Sequence, residues 1–176
     1  GYSTFINPMT YTGPAVKKYN ENASGGYVLD FPLAERDEKF IYQKLIDSSD
    51  GEFMVEYRVP VILDAIPVVY VELKDIPGDR IKTNKQSIEL AEPETIFSAQ
   101  EQFMILEFCR DIGLDFGELD IIRSNDDGRI YILDANKTPG GFGMFNKAMW
   151  TSKNRHRAIE RLADAFATGI QARIAQ

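Results

Sequence analysis

Acids and an amide at regular spacing mark two neighbouring stretches of this chain, GELDII and YILDANKTPGG. Asp134 and Asn136 lie in RIYILDANKTPGG, residues 129–141, where Ile130, Ile132 and Leu133 suit a buried strand. A carboxylate and an amide on such a strand need compensating partners. The whole stretch GELDIIRSNDDGRIYILDAN reads as a hairpin. A three-residue loop, Asp126-Asp127-Gly128, with the glycine in the left-handed region, would pair Asn125 with Arg129. Carried along the strands, this register sets Asp120 opposite Asp134 and Glu118 opposite Asn136. All four then share one face, because strand side chains alternate with a period of two.

Like charges directly opposite one another destabilise a sheet. A raised pKa on one acid relieves the repulsion, and so does a bound cation. A donor set made only of carboxylate and amide oxygens favours a hard ion such as magnesium, which usually shares one or two carboxylates with substrate phosphates. A solvated acidic face would explain the same residues. A two-residue loop would shift the register by one and separate Asp120 from Asp134. With one histidine, His156, and one cysteine, Cys109, the chain cannot build a zinc cluster by itself. RSNDDGRIYILD imitates a calcium loop, but Arg123 occupies its first ligand position and its second half is apolar.

Cations gather in the preceding region. Arg58 and Lys74 sit on two candidate strands, and Arg80, Lys82, Asn84 and Lys85 follow in GDRIKTNK. Glu56 and Arg58 share a strand face by alternation. Any one of these lysines reads as an ordinary solvated charge. A cluster beside an acidic metal site is the equipment that holds a triphosphate and its transition state. Lys17 and Lys18 precede a loop with two glycines in VKKYNENASGG, which lacks the Walker pattern and reads equally as a plain turn. No G-x-G-x-x-G follows a strand, and no nucleophile elbow or Cys/His pair supports a hydrolase.

These residues need a scaffold. VKKYNENASGGYVL reads as strand, polar loop and strand; KFIYQKLI (39–46) reads as a further strand. FMVEYRVPVIL (53–63) and IPVVYVELK (66–74) are rich in β-branched and aromatic residues, and pair as a hairpin across a short turn. FSAQEQFMILEFCRDIG is a helix, with Ser98 and Glu101 as a capping box and Gly113 as its stop. From about Asn154 a second helix carries Ile159, Leu162, Ala163, Phe166, Ile170 and Ile174 on one face, which should pack on the sheet. Antiparallel strands, helix, strands and helix make an α+β chain. At 176 residues it suits one domain, or one domain plus part of another. A net charge of −7 disfavours nonspecific nucleic-acid binding, and no apolar run approaches the roughly 18 residues that span a membrane. The lone cysteine fits a reducing, cytoplasmic setting. The chain opens on Gly in GYSTFINP, which raises the expectation that its natural start lies elsewhere.

The ordered set IYQKLID, EYRVPVI, IPVVYVELK, DRIKTNK and LDFGELDIIRSNDDGRIYILDANKTPGG resembles the ATP-grasp superfamily, from about Lys17 to Gly141. It is similar to the C-terminal part of D-alanine–D-alanine ligase, glutathione synthetase and the ribosomal-protein glutamate ligase. The resemblance implies magnesium ligands at Asp120, Asp134 and Asn136. It implies phosphate or intermediate contacts from Arg58, Arg80 and Asn84, with ATP held by Lys18, Gln43, Lys44, Leu45, Ile46 and Lys74. The backbone at Lys44 and Ile46 would meet the adenine edge, and Lys18 or Lys17 would be a lid lysine. It divides the chain into a partial lid segment, 1–38, and a C-terminal ATP-grasp domain, 39–176. The activity implied is ligation of a carboxylate to an amine or thiol through an acyl phosphate. A small-molecule kinase or a nucleotide-binding module without catalysis would fit the same scaffold. The family usually has Glu where this chain has Asp134, one methylene shorter. Its full fold also has an earlier domain and more lid upstream, so the resemblance implies a fragment or a protein that has lost that part. The substrate and the oligomeric state are not written in these motifs.

Overall fold

The computed structural model describes residues 4–19, 26–76, 80–81, 85–139 and 152–175. Two antiparallel sheets carry the site. The smaller contains β1 (Gly13–Tyr19), β2 (Gly26–Phe31), β3 (Phe40–Lys44) and β7 (Arg80–Ile81), in the order β3-β1-β2-β7. The larger contains β4 (Ser49–Asp50), β5 (Phe53–Ile62), β6 (Val69–Asp75), β8 (Lys85–Ala91), β9 (Phe116–Arg123) and β10 (Ile130–Asn136). Its order is β10-β9-β5-β6-β8, with β4 pairing β5. β7 falls between β6 and β8 in the chain but pairs with β2 of the smaller sheet. Strands β4, β7 and β8 go beyond the sequence reading; the α+β class and the antiparallel pairings hold.

Alternation divides the larger sheet into two faces. On one, Val59, Val61, Val69, Leu119 and Ile121 bury against Ile105 and Cys109 of α2 (Ala99–Asp111) and against Phe97, which follows the one-turn α1 (Pro93–Ile96). Helix α2 starts as expected. The Ser98 side chain accepts the Glu101 N–H at 3.3 Å, and the Glu101 carboxylate accepts the Ser98 N–H at 2.9 Å. It stops at Gly113, whose φ of +63° is the left-handed conformation that glycine adopts without strain. On the other face, Ile62, Val68, Tyr70 and Ile88 pack under α3 (Ser152–Ile174). Between this cluster and the one around Ile122, that face carries the charged residues of the site.

Of the face expected to pack, helix α3 turns only Leu162 to the sheet. Ala158 and Leu162 are buried, with Ala165 packed beside them, whereas Ile159, Phe166, Ile170 and Ile174 are exposed. The face used runs through Ala158, Leu162 and Ala165, rotated from most of the large apolar residues and sharing only Leu162 with them. Close approach explains the choice. A Cβ on Gly169 would stand 2.3 Å from Leu63 Cδ1, so the helix rests where it has almost no side chain.

The second hairpin reaches the expected register by an unexpected route. Its loop has four residues, Asn125 to Gly128, because the Ser124 N–H donates to Arg129 O at 2.9 Å. The first pairs are therefore Ile130 with Arg123 and Tyr131 with Ile122. A bulge between Ile132 and Asp134 then shifts the ladder by one residue and restores Asp134 opposite Asp120 and Asn136 opposite Glu118. Gly117 lets the strands meet closely here: a Cβ would stand 2.7 Å from Asn136 O and 2.6 Å from Leu114 Cδ1. Gly117→Ala should therefore destabilise the fold by about 1–3 kcal/mol, the usual cost of overpacking. Urea unfolding would read this as a lower midpoint at unchanged slope, and an unchanged midpoint would contradict it.

Candidate active site

The polar face is assembled by strand pairing. Arg58 stands between Tyr70 on one side and Asp120 on the other, and Glu56 pairs with Glu72. Asp120 continues to Asp134, and Glu118 to Asn136. Three strands thus bring Arg58 within reach of three acids from β6 and β9. Its Nε donates to Asp120 Oδ1 at 3.0 Å and its Nη2 to Oδ2 at 3.3 Å. The same Nε lies 3.3 Å from Glu118 Oε1 and 3.9 Å from Glu72 Oε1. Lys74 pairs with Glu56 and lies 3.7 Å from Glu72 Oε2. Glu72 therefore bridges the two cations from a fully buried position.

Burial by itself would lower the Arg58 pKa, but Asp120, Glu118 and Glu72 together hold it above its ordinary value. Arg58 thus stays charged. Burial pushes the Glu56 carboxyl up and outweighs the Lys74 ammonium, with the Asp120 charge adding to the rise. The Tyr70 hydroxyl is also pushed up, by burial first and by Glu118 second. Among the described side chains of this face, Arg58 and Lys74 stand with Glu56, Glu72, Glu118, Asp120 and Asp134, so acids outnumber bases there.

The smaller sheet meets this face at its strand end. Ile46 is buried with Ile122, Tyr131 and Leu133. Lys44 Nζ donates to Tyr131 Oη at 3.0 Å and lies 4.3 Å from that ring's centroid. Tyr131 Oη in turn donates to Asp127 Oδ2 at 2.8 Å. The Lys44 N–H is committed to Thr4 O at 2.9 Å, and the Leu45 N–H to Pro14 O at 3.1 Å. Gln43 is buried and donates to Thr4 Oγ1 at 2.8 Å. Lys18 stands on β1 opposite Ile41 and Gly26, whereas its neighbour Lys17 lies 3.9 Å above the Phe40 ring.

Arg58, Lys74, Asp120 and Asp134 are therefore brought to one face, with the Lys44–Ile46 segment at its edge. Asn136 is there too, and its Oδ1 accepts the Thr138 N–H at 2.9 Å, which shapes the turn after β10. Arg80 lies on β7 opposite Tyr27, and its side chain is outside the described residues, as is Asn84 altogether. Glu56 shares this face with Arg58 as expected but pairs with Lys74, while Asp120 and Glu118 reach the guanidinium from β9. Glu72 and Tyr131 were missed. The signal for Glu72 was an acid alternating with Tyr70 and Lys74 in an otherwise apolar strand.

Among the described residues, no three His, Cys, Asp or Glu side chains converge as metal ligands. Asp120 turns both oxygens to Arg58, while Asp134 opposite is exposed. The excess of acids and the all-oxygen donor set nonetheless suit magnesium.

No protein-family profile and no curated protein matches the sequence. Solved structures do. The chain superposes on the ATP-grasp ligase PsnB, solved with minimal precursor, Mg and ADP, at a TM-score of 0.58 and 18% identity, covering 88% of this chain and 47% of that one. It superposes on D-alanine–D-alanine ligase from Bacillus anthracis at a TM-score of 0.57 and 14% identity, covering 93% and 56%. A second structure of that ligase, complexed with ATP, matches at a TM-score of 0.56 and 15% identity, with the same coverage. The chain thus has the ATP-grasp fold, and it spans about half the length of the solved structures it matches.

The Arg58–Asp120 pair reverses an expectation about stability. Repulsion between Asp120 and Asp134 alone would make Asp120→Asn stabilising in the metal-free protein. With a two-point guanidinium bond on Asp120, the substitution should instead destabilise by about 1 kcal/mol, discounted for a pair that water reaches. Thermal unfolding in chelator decides: a raised midpoint would show that repulsion dominates.

Proposed function

We infer that this chain binds magnesium-ATP and serves an ATP-dependent ligase that joins a carboxylate to an amine or thiol. One observation carries the reading: Arg58, Lys74 and the opposed pair Asp120 and Asp134 share a sheet face that ends at the Lys44–Ile46 seam. Cations and acids in that order suit a triphosphate bridged to its metal. The ligases that share the fold were solved with ADP and Mg or with ATP, which supports the same ligands here.

In this reading Asp120, Asp134 and Asn136 hold the metal, whose charge offsets that of the phosphates. The adenine meets the Lys44–Ile46 backbone, where the Lys44 N–H is already donated within the fold. Gln43 and Leu45 flank that edge, and Lys18 reaches phosphate from the smaller sheet. Residues 1–38 act as part of the lid and 39–176 as the nucleotide-binding domain. Arg58 and Lys74 face the transferring phosphoryl group, with Arg80 and Asn84 contacting phosphate or intermediate. A substrate carboxylate oxygen attacks the γ-phosphorus, the bond to the β-phosphate oxygen breaks, and ADP leaves. An amine or thiol then attacks the acyl carbon and expels inorganic phosphate, and its proton passes to solvent or a base. Arg58 contributes most where charge spreads over the γ-oxygens, because its planar fork meets two of them together.

The test is product analysis on the intact protein, with panels of carboxylates and amines or thiols. ADP and phosphate should form only with both partners present, alongside a condensed product. ADP and a phosphorylated alcohol would mark a kinase; nucleotide binding without turnover would mark a binding module. Arg58→Lys should lower kcat about 100-fold or more, the usual cost of losing a transition-state donor, and change ATP affinity much less. Steady-state kinetics would contradict this with a large rise in KM at unchanged kcat.

A further inference from the structure

The guanidinium of Arg58 stands where a cation is wanted. It covers both oxygens of Asp120, the acid whose strand partner is Asp134. Two other acids lie in reach of the same Nε without any movement of the chain, Glu118 at 3.3 Å and Glu72 at 3.9 Å. The three acids differ in access to water. Glu72 and Glu118 are 0% and 4% exposed, whereas Asp120 is 24% exposed and lies opposite the exposed Asp134 in the ladder. A buried carboxylate must keep a cationic or hydrogen-bonding partner; a quarter-exposed one can exchange partners.

Resting on the magnesium reading above, we propose that Arg58 and the metal compete for Asp120. Without metal, the guanidinium is the counter-ion of Asp120. When Asp120 and Asp134 take up a divalent cation, Arg58 passes to Glu118 and Glu72, and the nitrogen that had held Asp120 Oδ2 is released for phosphate. The arginine is thus presented only when the metal is in place, so nucleotide entering without metal meets a site whose arginine is still engaged. Glu118 and Glu72 are positioning residues in this exchange. Lys74 takes no part: it shares Glu72 but pairs with Glu56, not with Asp120.

The probe is Mn2+ alone, without nucleotide, bound to the intact protein and read from the free-ion resonance signal. Removing the competitor in Arg58→Gln should tighten Mn2+ binding about tenfold, the change expected when a competing charge-assisted hydrogen bond is lost. Lys74→Gln removes an equal charge from the same cluster and should tighten it far less. Equal gains in both variants would mean that only the summed charge matters, and would overturn the exchange. So would unchanged or weaker binding by Arg58→Gln, or no binding by either wild type or Arg58→Gln. Asp120→Asn binding Mn2+ as well as wild type would be a different failure, that of the metal site itself. A second measurement needs no loss of charge: the Nε–H resonance of Arg58 in the wild-type protein, assigned with Arg58→Lys. It should move in step with magnesium saturation, and a resonance that ignores bound magnesium would overturn the proposal even if Arg58→Gln fails to fold.

Discussion

The structure turns on one constraint: two carboxylates, Glu72 and Glu118, lie buried on the central strands of a sheet and need a permanent cation. Arg58 meets both from the strand between them. Buried ion clusters are weak sources of stability, because the charges lose their hydration and regain little more than that loss. Apolar residues at these positions would pack the face at least as well. A sheet that keeps Glu56, Arg58, Glu72, Lys74, Glu118 and Asp120 together is therefore better explained by what the charges can hold than by folding. Raised pKa values at Glu56 and Tyr70 mark the same face as electrostatically unusual, as functional sites often are.

The packing on either side orients that face. The opposite face is closed by α2 and Phe97 into an apolar core, so β5 and β9 cannot turn over. Helix α3 covers only the end near Ile62, Val68 and Tyr70, lying close through Ala158 and Gly169. Ile46 and Lys44, just past the smaller sheet and at its end, pack against Tyr131 and Leu133 of the larger one. The bulge before Asp134 adds local twist at the strand end that carries the acids, a common place for bulges.

Local signals in the chain were legible, and long-range choices were not. The capping box at Ser98 and Glu101 and the stop at Gly113 depend on a few neighbouring residues, and they form as read. Hairpin pairing of β5 with β6 and of β9 with β10 followed from alternation. The opposition of Asp120 and Asp134 was also foreseen, although the loop is one residue longer than assumed and the bulge near Leu133 compensates. A bulge is set by packing of the strand against both faces, which periodicity cannot reveal. The face used by α3 was legible only at Leu162, for a similar reason. Two helical stripes were available, and the one that packs is chosen by how closely Leu63 lets the helix approach. Glu72 escaped notice although the β5–β6 hairpin was read, because the register that sets it opposite Glu56 is fixed by the connection 63–68, longer than the short turn expected.

The central claim is that this face binds nucleotide together with magnesium. Calorimetric titration of the intact protein with ADP, in excess magnesium and again in chelator, tests it without assuming a substrate. Binding should tighten by at least about tenfold with magnesium, the effect of a metal that joins Asp120 and Asp134 to the phosphates. Equal affinity in the two buffers, or no binding in either, would contradict it.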